Sequence, residues 1–175
     1  MSQPQQPKSA KLIIGVILKD RSLLAEVTPQ LERRFGAVEM ISPWYDFDYT
    51  DYYAPEMGKP LYRRLLVFRK LIEQQALADI KLYTNAVENE FAVHAKRRMN
   101  IDPGYLLYER FVLASGKNFT HRIYVGQGIY ADLTLVYQKG GYQTLEWTYP
   151  DYKNSALRCF LLQVRKKYAL DLATG

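Results

Sequence analysis

Seven consecutive apolar residues, Leu12 to Leu18 (LIIGVIL), leave a strand with no polar face to turn toward water. Side chains alternate across a strand, so a run that is apolar at both parities is either a central strand covered on each side or a strand deep in a sheet with helices over it. The rest of the chain must supply those covers.

The periodicities that follow do so. Leu24, Val27, Leu31 and Phe35 recur at helical spacing after Asp20 or Ser22, either of which can cap the helix; Pro29 should kink or restart it, and Gly36 ends it. A strand is expected near 37–42, then a long aromatic and acidic loop, then a strand over 61–70. Leu77, Ile80, Thr84, Val87, Phe91 and Ala95 predict a helix over 74–96, on which Lys81, Asn85 and Glu88 share one stripe. Asp102-Pro103-Gly104 reads as a tight turn with Gly104 at positive φ, and Asn100 as a residue that holds it. Strands at 105–115, 120–125, 128–138 and 143–149 precede a closing helix capped by Asn154 or Ser155. The reading is α+β: a single domain over 11–175, mostly antiparallel sheet with helices packed on it, behind a disordered tail at 1–10.

Two glycine-bearing turns fix a register. A three-residue loop at Gly126-Gln127-Gly128 pairs Arg122 with Asp132 and Tyr124 with Tyr130, and a two-residue turn at Gly140-Gly141 pairs Asp132 with Tyr149 and Thr134 with Trp147. Arg122, Asp132 and Tyr149 would then form one row. A tyrosine-rich face with a fixed guanidinium suits a planar or anionic ligand, although a solvated face carrying one salt bridge is the alternative.

Composition narrows the chemistry. At 175 residues, 48% hydrophobic and 24% charged, the chain can bury one core. MSQPQQPKSA has no apolar h-region and no run reaches the ~20 residues of a membrane span, so a cytoplasmic protein without membrane contact is expected. One cysteine, Cys159, excludes an intramolecular disulfide, and with two histidines there is no zinc cluster. Asp46, Asp48, Asp51, Glu56, Glu88, Asp102 and Asp132 would hold Mg²⁺ only if they converged; the spacing of an EF-hand is absent. A net charge of +6 leans toward polyanions, but the basic clusters are short and scattered.

NIDPGYL (100–106), KNFTHRIYVGQGIYADLTL (117–135) and WTYPDY (147–152), with DFDYTDYYAPEMG (46–58) and IKLYTNAVE (80–88), resemble a bacterial family known as domain of unknown function forty-four sixteen. The likeness runs from about Lys11 to about Tyr168. It implies which stretches define the family and brings no established activity. The chain has no GxxxxGK[ST], and its GQG lies in a hairpin rather than between strand and helix, so a P-loop reading fails.

The leading expectation is a polar cleft in which Lys81, Asn85, Glu88, Asp102, Lys117, Asn118, Arg122, Asp132 and Tyr149 bind an anionic or nucleotide-like small molecule. His121 is the one candidate general base. On a strand it would face away from Arg122, with Ile123 and Val125 beside it on a core face. The alternatives are a protein-partner or assembly module using loop 43–58, and an RNA-binding surface of basic and tyrosine residues, for which no known RNA-binding signature is present.

Overall fold

Leu12 to Leu18 do form the middle of a sheet. In the computed structural model, which describes residues 2–174, β1 (Ala10–Leu18) is fully buried and pairs on one side with β4 (Tyr62–Ile72) and on the other with β5 (Met99–Leu106). The remaining strands are β2 (Val38–Ile41), β3 (Tyr45–Asp46), β6 (Arg110–Ser115), β7 (Arg122–Gly126), β8 (Ile129–Gln138) and β9 (Gly141–Thr144). All nine described strands join one antiparallel sheet in the order β2-β4-β1-β5-β6-β8-β7; β3 lies beside β4, and β9 extends the β7 side of β8.

The two parities of β1 explain the layers. Leu12, Ile14, Val16 and Leu18 pack with Leu24, Val27, Leu31 and Phe35 of α1 (Leu23–Phe35) and with Ile80 and Val87 of α3 (Leu77–Glu90). Ile13, of the other parity, belongs to the core formed with Leu157, Phe160, Leu161, Val164 and Tyr168 of α4 (Ser155–Thr174), and Ala10 joins that core from beyond the register shift between Lys11 and Ile13. A single four-residue helix, α2 (Ala54–Met57), sits in the loop after β3, where Phe47, Met57 and Leu61 build a small core against Ile17. The domain is α+β as the sequence predicts, with four helices among the described residues.

Several local expectations hold. Asn154 caps α4, its Oδ1 accepting from the Ala156 and Leu157 amides at 2.8 and 3.3 Å. Gly36 ends α1 at φ 89°. Arg122 pairs with Asp132 and Tyr124 with Tyr130 across Gly126, Gln127 and Gly128, all at positive φ. Others need correction. α1 runs through Pro29 without a restart. α3 stops at Glu90 because His94 and Ala95, both left-handed, make a tight reversal between Val93 and Lys96 that returns the chain to the sheet. The second hairpin turns on Lys139-Gly140, both at positive φ, so Gln138 pairs with Gly141 and Leu135 with Thr144. β9 ends there, and neither Asp132–Tyr149 nor Thr134–Trp147 is a strand pair. Residues 2–9 carry no secondary structure, but Lys8 and Ser9 are held: Lys8 O accepts from Gln74 Nε2, and Ser9 O from the Tyr168 hydroxyl at 2.7 Å.

The largest correction is NIDPGY. It is not a turn but the body of β5, with Gly104 at ordinary strand φ opposite Ile13 and Leu113. Pro103 is tolerated because pairing with β6 begins only at Gly104, so β5 is a free edge on that side at the proline. Gly104 is required for close approach rather than for a turn: a Cβ there would lie 2.4 Å from the Val112 carbonyl oxygen and 2.9 Å from Leu113 Cδ2. Gly104→Ala should therefore cost about 1–3 kcal/mol by overpacking, measured by urea denaturation; an unchanged midpoint would show that β6 can yield.

Candidate functional site

Where β4, β1 and β5 run side by side, an arginine lies over the sheet. Gly15 is opposite Leu65 on β4 and Asp102 on β5, and a Cβ on Gly15 would meet Arg63 Nη1 at 2.8 Å. The absent side chain is the channel by which Arg63, 4% exposed, crosses β1. Its Nη2 donates to Asp102 Oδ2 at 3.1 Å and its Nη1 to the Tyr152 hydroxyl at 3.0 Å, while Nε lies 2.7 Å from Asp151 Oδ2 in a contact too oblique for a good hydrogen bond. Burial alone would weaken the guanidinium as a base, but Asp151, Tyr152 and Asp102 more than offset this and raise its pKa.

Beside it the polar stripe of α3 enters the same space. Lys81 Nζ donates to the Ile101 carbonyl at 2.7 Å and lies 3.7 Å from Asp102 Oδ1; Glu88 Oε1 accepts from the Ile101 amide at 2.7 Å. Arg97 links Glu88 (3.4 Å), Asn100 Oδ1 (3.3 Å) and Glu56 (2.9 Å from Nε). Burial raises the Glu88 pKa, against the pull of Lys81 and the Ile101 amide. Burial also pushes Asp102 up, but Lys81 and Arg63 outweigh it and hold the carboxyl below its ordinary range. Asn100, 5% exposed, has a carboxamide Nδ2 with no acceptor of good geometry; the nearest is Asp102, whose pKa the amide helps to lower by a weak hydrogen bond.

These groups floor a cleft of about 580 Å³. Phe47, Tyr49, Tyr52, Tyr53 and Tyr149 form its aromatic wall, and Ser115 to Lys117 close the side formed by the end of β6. At the mouth, Lys117 Nζ donates to the Tyr52 hydroxyl at 3.1 Å and sits 4.1 Å from that ring's centroid. It pairs with no carboxylate among the described residues.

Lys81, Asn85, Glu88, Asp102, Lys117, Asp132 and Tyr149 thus line one cleft. Arg122 stands behind it: Nε donates to Asp132 Oδ2 at 2.8 Å, Nη1 to Ser115 Oγ and the Lys117 carbonyl, and Nη2 to the Tyr149 hydroxyl. The three residues of the expected row meet although their ladder does not form, because the chain after β9 brings Tyr149 back: Trp147 Nε1 donates to the Leu133 carbonyl and Thr148 Oγ1 to that of Thr134. Asn118 lies outside, beside Phe119 and Thr120. His121 precedes β7 in a turn, so strand alternation does not govern it; its Nε2 lies 3.2 Å from the same Asp132 oxygen that Arg122 holds, and its ring stacks on Trp147 at 4.9 Å. The core face expected for Ile123 and Val125 is in fact exposed. No three His, Cys, Asp or Glu side chains among the described residues are grouped to hold a metal ion.

The residue that sequence reasoning missed is Arg63, with Asn100 and Asp151 around it. Two signals point to it: Arg63 shares the inward parity of Leu65 and Val67 in YRRLLVF, and Gly15 interrupts a run of bulky residues.

Residues 8–168 match the model of a family described as Domain of unknown function (DUF4416). The chain belongs to that family. No curated protein and no solved structure matches it. The match extends through α3, β5 and the hairpins, so the cleft of this DUF4416 chain lies wholly within the family's domain.

Arg63→Met should destabilise the protein by about 3–5 kcal/mol at neutral pH, since it leaves Asp151 buried without its cation. Burial already raises the Asp151 pKa despite Arg63. A carboxyl raised in the folded state binds more protons there than in the unfolded chain, so stability falls as pH rises from the unfolded value through the folded one. Removing Arg63 raises it further, and the cost of Arg63→Met should shrink as pH is lowered toward that of an ordinary carboxyl. Urea titrations at neutral and mildly acidic pH read this directly; a pH-independent cost would mean Asp151 is not the group left stranded.

Proposed function

We propose that this cleft binds a small anionic, nucleotide-like molecule. The observation that carries the reading is Asn100: a buried carboxamide donor, lining the cleft, that meets no acceptor of good geometry among the described residues, Asp102 being at best a weak one. Asn85 lines the same wall half-buried, and no hydrogen bond of its side chain is found among the described residues. Two carboxamides can offer donors and acceptors to the heteroatoms of a planar or sugar-like body, and the tyrosine wall offers it stacking surface.

Charge decides where the anion goes. On the floor, Arg63, Lys81 and Arg97 are each answered by Asp102, Asp151, Glu88 or Glu56. An anion placed there would compete with carboxylates already in place. Lys117 at the mouth meets the Tyr52 phenol and its ring and pairs with no carboxylate among the described residues, and that lysine also lowers the Tyr52 pKa by its hydrogen bond and charge. The reading therefore has a neutral, heteroatom-rich part held deep and an anionic group at Lys117. It is favoured over an assembly role for loop 43–58 because Phe47 and Met57 of that loop are spent on its own core and Tyr45 on the main core, while Tyr49, Tyr52 and Tyr53 face the cleft.

Thermal-shift titration with ribonucleoside mono-, di- and triphosphates and a sugar phosphate tests it. A binder present at 100 times its dissociation constant adds about 2.7 kcal/mol of stability. Lys117→Ala and Asn85→Ala should each weaken binding roughly tenfold, as loss of a charge-assisted or buried hydrogen bond does, and Lys70→Ala, on the exposed end of β4, should not. No shift with any probe, or an equal shift in all the variants, removes the cleft as the site.

A further inference from the structure

The sheet has open edges, and all but one are managed. Glu39 on β2 is a charged residue turned into ion pairs with Lys11 and Lys167, and β3 is only two residues long. The outer side of β9 is met by α4, whose Arg158 donates to the Tyr142 carbonyl at 3.0 Å. β7 ends the sheet and is met near its two ends, where Gln127 of its turn donates to Asp79 of α3 at 2.6 Å and the Arg122 amide to the Phe119 carbonyl at 3.0 Å; Ile123 to Val125 between them carry none of these devices. β7 carries no lysine and no proline, and its one charge, Arg122, is sunk against Asp132.

The strand is also apolar and bare. Ile123 is 72% exposed, Tyr124 60% and Val125 40%, and Phe119 just before them is 62% exposed. The patch continues through the stack of Phe119, His121 and Trp147 to Tyr149, which Arg122 joins to β7. From the area of such side chains, the exposed part amounts to roughly 400–500 Å² per chain. That is at the upper end of what a monomer leaves in contact with water, and two such patches together with backbone reach roughly the 1,000 Å² at which specific interfaces begin.

We infer that β7 is a dimerisation edge that pairs antiparallel with β7 of a second copy of this chain. A two-fold axis through Tyr124 sets Ile123 opposite the partner's Val125 and Arg122 opposite the partner's Gly126, so apolar meets apolar on one face and no uncompensated charge enters the seam. The occupant is a second copy rather than a foreign peptide because the strand is complementary to itself under that axis and two copies of the patch reach the area a specific interface needs. The dimer would join two nine-stranded sheets edge to edge. It is independent of what the cleft binds.

Sedimentation velocity from about 1 to about 100 µM is the test, since a dimer of this size is governed by mass action. The expected species at high concentration has twice the 20.4 kDa chain mass. Ile123→Lys and Val125→Lys should each weaken the dimer by about tenfold or more, by bringing paired ammonium groups into the seam. Both sites are exposed, so far-UV circular dichroism should be unchanged. Should either variant misfold, hydrogen exchange on the unmodified chain gives the same answer: the amides of residues 122–126 slow as concentration rises, and those of β2 do not. A wild-type protein of 20.4 kDa throughout, or a dimer that survives both substitutions, overturns the inference, and so does a β7 whose exchange is independent of concentration.

Discussion

Arg63 puts a guanidinium on β4, one strand away from the fully apolar β1, and its charge must be answered by the protein because water does not reach it. The answers come from four separate parts of the chain. Gly15 opens the path, Asp102 receives the fork from β5, and Asp151 and Tyr152 come down from a 3-10 turn at Pro150–Lys153. Lys81 of α3 shares Asp102 with Arg63, and Lys81 and Glu88 together hold the Ile101 peptide. Because each group is shared, none can be moved without leaving a neighbour unsatisfied, which is how polar networks in a low-dielectric site become rigid.

The buried network accounts for the form of the cleft. Charges of both signs are interleaved and close to balance on its floor, so selectivity rests on the direction of donors and acceptors more than on net attraction. The chain's surplus of positive charge is spent elsewhere: Arg33 and Arg34 stand in the last turn of α1, where a helix end welcomes cations, and Arg165 packs its guanidinium on Tyr137.

Much of this was legible in the sequence, for reasons that differ from residue to residue. The parity of LIIGVIL gave the central strand, helical spacing gave α1, α3 and α4, and the loop at 126–128 gave the first hairpin register. The stripe of Lys81, Asn85 and Glu88 was visible as polar residues in an apolar period. What failed was punctuation. Pro103-Gly104 has the composition of a turn, yet tertiary context uses the proline at an unpaired edge and the glycine for contact with β6, a distinction that local sequence does not encode. At the second hairpin two glycines in succession offered two turns, and the left-handed Lys139 was the one chosen. Arg63 was hidden because a partner such as Asp151 lies far along the chain and only the folded sheet brings it near.

Lys11 is wholly buried at the start of β1, held by Glu39 at 2.7 Å and by Asp171 of α4 at 2.5 Å, with Lys167 bridging the same two carboxylates. The first strand of the domain is therefore stapled to its last helix. During synthesis β1 precedes its neighbours β4 and β5 by some fifty and ninety residues, and Asp171, which completes the pairing of its ammonium, by far more. The most apolar segment of the chain thus has no strand partner until β4 is made and only one until β5 is made. Pairings of such high sequence separation are slow to form, and until they do the segment presents apolar surface and an unpaired strand edge.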